Sequence, residues 1–106
     1  MGRKQIELSF YDKNYIIEYN RASVLMVVTN KSENPLDQVV FLIKGGLIMH
    51  HEKDMPTDDD IKGWVLALGD DLKEFAEALH ELVQDVLSTF DNDRKNLKWG
   101  KVVKEA

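Results

Sequence analysis

The chain has 106 residues, room for one domain with a single core but not for two. Hydrophobic residues make up 43% and charged residues 31%, the balance of a folded globular protein, which excludes wholesale disorder. Nineteen acidic against fourteen basic residues leave a formal charge of −5, opposite to the basic face that phosphate binding needs, so no nucleic acid partner is expected.

There are no cysteines, which removes disulfides, thiol catalysis and Cys-ligated zinc and suits a cytoplasmic location. Met1-Gly2-Arg3-Lys4 leads straight into alternating residues and lacks the apolar core of a secretory signal. The longest strongly apolar stretch, residues 39–49, contains Lys44 and a glycine pair and is too short for a bilayer, so no membrane is expected.

Ile6, Leu8 and Phe10 alternate with Glu7 and Ser9, the period of a half-buried strand. Tyr11-Asp12-Lys13-Asn14 supplies turn residues, and Tyr15-Ile16-Ile17-Glu18-Tyr19 supplies a second strand. The pair reads as a β-hairpin with a loop of about four residues. Such a hairpin is marginal alone and must lay its apolar face on something else.

Asn20 is placed to cap a short helix over 21–29, with Val24, Val27 and Val28 facing inward. The β-branched run there is poor for helix propensity and leaves a strand as the alternative. Asn34-Pro35 starts the next helix, and Asp37 suits its positive end. Residues 36–51 are apolar nearly all round, as in a helix at the centre of a domain. Gly45 and Gly46 each cost about 1 kcal/mol against alanine inside a helix, so they predict close approach of another element, or a bend.

Pro56 ends that run, and Thr57 followed by Asp58, Asp59 and Asp60 opens another helix whose apolar stripe is Ile61, Trp64, Val65 and Leu68. Gly69 terminates it. Leu72, Phe75, Ala76, Leu79, Leu82, Val83, Val86, Leu87 and Phe90 then recur at helical spacing, which predicts one amphipathic helix over 71–90. From Asp91 the pattern dissolves, and apolar residues return only at Leu97, Trp99, Val102 and Val103. The reading is an α+β fold, predominantly α: an N-terminal β-hairpin, about four helices and a polar tail. Residues 1–91 form one globular domain and 92–106 the tail.

The nearest approach to a metal cluster is His50-His51 with Glu52 and Asp54, together with His80. Consecutive helical residues point about 100° apart, so adjacent imidazoles do not converge on one ion, and no HExxH spacing is present. His50 and His51 read instead as cations at a helix C-terminus. The acidic runs 58–60 and 70–71 lack the spacing of a calcium loop and read as helix caps. There is no GxSxG, P-loop or GxGxxG. Neither a catalytic residue, a cofactor nor a metal is assigned, and the chain reads as a non-enzyme.

What remains is binding surface. Leu47, Trp64 and Trp99 are the candidate partner contacts, tryptophan being a large anchor with little entropy to lose. For Trp64, burial in the core is the competing reading. Trp99 lies in a charged tail that either folds back or presents it outward. The amphipathic helix over 71–90 either completes the core or pairs with a foreign helix.

The run Tyr15-x-x-Glu18-Tyr19-Asn20-Arg21-x-Ser23-Val24, then Gly45-Gly46-Leu47-Ile48-Met49-His50-His51, and the late Trp99 in an Asn-x-x-Trp setting form a recognisable series. It resembles short proteins of phages and prophages of Gram-positive bacteria that are similar to tail-assembly chaperones. Two features depart from that pattern: Leu25-Met26-Val27-Val28 is strongly apolar, and no second aromatic follows Trp99. The resemblance implies a cytoplasmic protein that coats the long helices of the tape-measure protein and helps recruit tail-tube subunits. Self-association into a homo-oligomer is compatible with it. Other readings are an adaptor for a different phage or host protein, and a small metal enzyme built on His50, His51 and His80.

Overall fold

The computed structural model describes residues 4–29 and 33–101. Strands β1 (Ile6–Phe10) and β2 (Lys13–Ile17) pair antiparallel, with Ile6 opposite Ile17 and Phe10 opposite Lys13. The loop is therefore only Tyr11-Asp12, tighter than the sequence suggests, and Tyr11 takes a positive φ of 55°. A tyrosine seldom adopts that conformation, which is why the residue types did not point to so short a turn.

Helices α1 (Arg21–Thr29), α2 (Pro35–His51), α3 (Asp58–Leu68), α4 (Leu72–Leu87) and α5 (Phe90–Asn96) follow. The α+β, mostly α class is as expected. At the start of α1, Asn20 Oδ1 accepts from Ser23 N at 2.8 Å while Ser23 Oγ accepts from Asn20 N at 2.9 Å. This reciprocal cap settles the segment as a helix despite its β-branched residues. Asn34 Oδ1 accepts from Leu36 N at 2.9 Å and Thr57 Oγ1 from Asp60 N at 3.1 Å, capping α2 and α3 as their sequences predict.

Asp70 and Asp71 do not cap α4. The chain enters that helix through a 3₁₀ turn, Gly69–Asp71, and Asp71 is already helical at φ −78°, ψ −8°, with no side-chain bond to an amide. The helix expected over 71–90 is also broken. Ser88 Oγ donates to Asp85 O at 2.7 Å and Thr89 Oγ1 to Val86 O at 2.6 Å, so hydroxyls engage the last carbonyls. Phe90, which reads as the last residue of that helix, instead begins α5, and α5 runs on into what reads as a polar tail. Arg21 holds α5 in place, lying 4.0 Å over the Phe90 ring and pairing with Asp93.

Helix α2 is the axis of the fold, touching β2, α1, α3 and α4. Ile43 and Leu47 from α2 meet Ile17, Val24, Ile61 and Leu79 in a core where each is fully buried. Among the described residues no helix is long and apolar enough to cross a membrane.

Candidate functional site

The two flanks of α2 set the geometry of any site. On the first, β2 and the residues after it press against the glycine pair. A methyl group on Gly46 would overlap Ile17 Cγ2 and come within 2.9 Å of Tyr19 Cζ; one on Gly45 would lie 2.5 Å from Val27 Cγ2. The loss of helix propensity is thus offset by close approach, as the glycine pair predicts. Glu18 N donates to Gly46 O at 2.9 Å, and Tyr19 OH donates to Leu42 O at 2.6 Å. Burial pushes the Tyr19 hydroxyl well above its ordinary range, so it stays a donor.

The histidines at the end of α2 serve the same flank. His51 Nε2 accepts from Ile16 N at 2.9 Å, which requires the neutral ring with its proton on Nδ1, and that nitrogen faces Asp54 at 3.2 Å. His50 Nε2 donates to Glu18 Oε1 at 2.9 Å, where the Glu18 side chain is only 6% exposed. His80 stands apart, on α4 beside a groove described below. Among the described residues no group of three or more His, Asp or Glu side chains converges as a metal site would require.

Of the aromatic residues near the hairpin, Tyr15, Tyr19 and Trp64 face inward, while Tyr11 at its turn is exposed. Trp64 is 4% exposed and packs against Tyr15 at 4.9 Å and Phe10 at 5.5 Å between ring centres. Its Nε1 is buried with no acceptor among the described residues. Leu47 is fully buried. Of the three partner contacts read from the sequence, Leu47 and Trp64 therefore sit in the core and offer no surface in this conformation. Trp99 is different, at 87% exposed. The structure does not bring the three together.

The second flank is open. Helices α1, α2 and α4 diverge around a groove of about 380 Å³, walled by Val27, Val28, Val39, Phe41, Val83 and Leu87. Val28, expected to face inward, is 42% exposed at its edge, whereas Val24 is buried and Val27 packs against Gly45 of α2. Leu25 and Met26, elsewhere on α1, are also exposed, at 49% and 37%. Gln38, His80 and Gln84 supply the polar rim. No matching family model, curated protein or solved structure was found for this chain.

Sequence reasoning passed over this groove. One signal was present: four consecutive apolar residues, Leu25 to Val28, exceed what one face of a nine-residue helix buries. A concave apolar surface with a few polar groups at its rim fits an apolar side chain or the stripe of an amphipathic helix.

Proposed function

We propose that the chain is a non-catalytic binding protein of the host cytoplasm, a phage tail-assembly chaperone that shields helices of the tape-measure protein and helps recruit tail-tube subunits. The observation that carries this reading is the open apolar groove between α1, α2 and α4, with exposed Val28 at its edge. Three helices diverging in this way present a trough in which a fourth amphipathic helix completes the packing. The resemblance described above names the partner whose long helices need such cover.

Charge supports the same reading. A formal charge of −5 favours solubility in a protein with an exposed apolar trough. The paired side chains of the histidine cluster are engaged with the hairpin, which leaves them a structural task.

Co-expression with the tape-measure protein encoded beside it tests this function. The tape-measure protein is expected to become soluble and to co-purify with the chain. An insoluble tape measure with nothing co-purifying would leave only a helical binding domain with another partner.

A further inference from the structure

The strongest unexplained feature is a pair of surfaces that complement one another and do not meet within one copy. After α5 the backbone turns extended, with Leu97 at φ −85° and ψ 121°. Leu97 and Trp99 are then 71% and 87% exposed. The radius of gyration, 17.2 Å, exceeds the ~13 Å of a compact chain of this length, and the long axis is 66 Å against 36 and 29 Å. Neither Leu97 nor Trp99 is packed against the body. The root of the segment is fixed, since Arg21 at the first turn of α1 holds both Phe90 and Asp93.

The groove lies toward the other end of α1, at Val27 and Val28. Its volume of about 380 Å³ has room for a large aromatic side chain with an aliphatic neighbour. Charge complements shape. Lys95, Lys98 and Lys101 surround Leu97 and Trp99 in the sequence. Along α4 the groove wall at His80 and Gln84 continues into a surface that carries Glu77 and Glu81, and Asp85 paired with Lys4 at 3.0 Å, which leaves it acidic on balance. A basic segment with a tryptophan at its centre thus matches an apolar trough with an acidic shoulder.

We infer that the chain pairs with a second copy by seating Trp99 and its flanking segment in the partner's groove between α1, α2 and α4. Because each copy carries both halves, a reciprocal exchange about a two-fold axis covers both grooves and both tryptophans and closes the assembly at two. Trp99 is the anchor, Leu97 fills beside it, and the lysines set direction against the acidic shoulder of α4. In the paired state the groove is occupied, so a foreign helix competes with the segment for the same site. The pairing itself does not depend on the chaperone reading and is tested without a tape-measure protein, so the two fail separately.

The test is sedimentation velocity of the full chain over a range of concentrations, alone and as Trp99→Ala and Val28→Lys. Both positions are exposed, so neither variant disturbs the core, and far-UV circular dichroism checks this. The expected result is a monomer–dimer equilibrium whose dissociation constant rises about thirtyfold or more in Trp99→Ala. Val28→Lys, which puts a cation where the lysines must approach, is expected to weaken pairing as well. Trp99 fluorescence, isolated by subtracting a Trp99→Phe variant, should shift to the blue as the dimer forms. A monomer at every concentration up to the solubility limit overturns the inference. So does a dimer indifferent to Trp99→Ala, or a blue shift independent of concentration, which would place Trp99 in the groove of its own chain.

Discussion

The two flanks of helix α2 are built from similar side chains to opposite ends. On the hairpin side Gly46 lets β2 and Tyr19 approach until no methyl group fits, as Gly45 does for Val27 of α1, and backbone and side-chain hydrogen bonds lock the hairpin contact. On the α1–α4 side, valines, leucine and phenylalanine line a gap of about 380 Å³ that no described residue fills. One flank spends its apolar surface on stability, and the other leaves it free for association. The same residue types serve both, so exposure and not hydrophobicity separates core from candidate site.

The contrast is sharpest at the centre of the packed flank. Leu47→Ala removes a fully buried side chain and is expected to cost about 2–5 kcal/mol in urea unfolding. A groove-edge change such as Val28→Ala is expected to stay within about 1 kcal/mol. Equal costs would show that the open flank is as well packed as the closed one. Gly46→Ala comes next. Helix propensity favours the substitution by about 1 kcal/mol, but the new methyl meets the buried Ile17 and Tyr19 side chains, which have nowhere to move. A net loss of about 1–3 kcal/mol is expected from overpacking. A gain in stability would mean that the hairpin rests on α2 loosely.

How much of this was legible follows from what each residue type encodes. Caps are local, so Asn34 and Thr57 announced their helices correctly, and the glycine pair inside an apolar helix predicted the close approach it makes. The tight hairpin turn was missed because Tyr11 carries a conformation that usually belongs to glycine or asparagine. The break after Leu87 was hidden because Phe90 falls in phase with the stripe of α4, while the terminating bonds come from two inconspicuous hydroxyls. Helix α5 was hidden by polar composition, since its hold on the body is a cation over a ring and an ion pair formed across the fold. Leu47 reads as a contact from its chemistry alone, which does not say which side of a central helix faces solvent, while Trp64 takes the core burial that was its competing reading.

Smaller effects probe the edges of the packed flank. His51→Ala takes the acceptor from Ile16 N and is expected to cost about 1–2 kcal/mol, with faster amide exchange at Ile16 as the local signature. His50→Ala, which leaves that amide bonded, should not change exchange there. The smallest effect is acid sensitivity at the start of α3. The Lys44 ammonium, bonded to Asp58 at 2.8 Å, holds that carboxyl below its ordinary range. A depressed folded-state value stabilises the protein above the unfolded value of about 3.9, and the contribution is lost as pH falls through the lowered one. Lys44→Met should flatten the acid end of the stability profile slightly, and added salt should mask the difference.

The most direct test of the division between flanks is Val28→Lys, followed by two measurements on the same protein: the urea midpoint, and the fraction of co-expressed tape-measure protein that stays soluble. Val28 is 42% exposed, so the account expects a midpoint within about 0.5 kcal/mol of the parent chain and a loss of solubilised tape measure. A variant that keeps the tape measure soluble as well as the parent does would contradict the assignment of the groove as the binding surface.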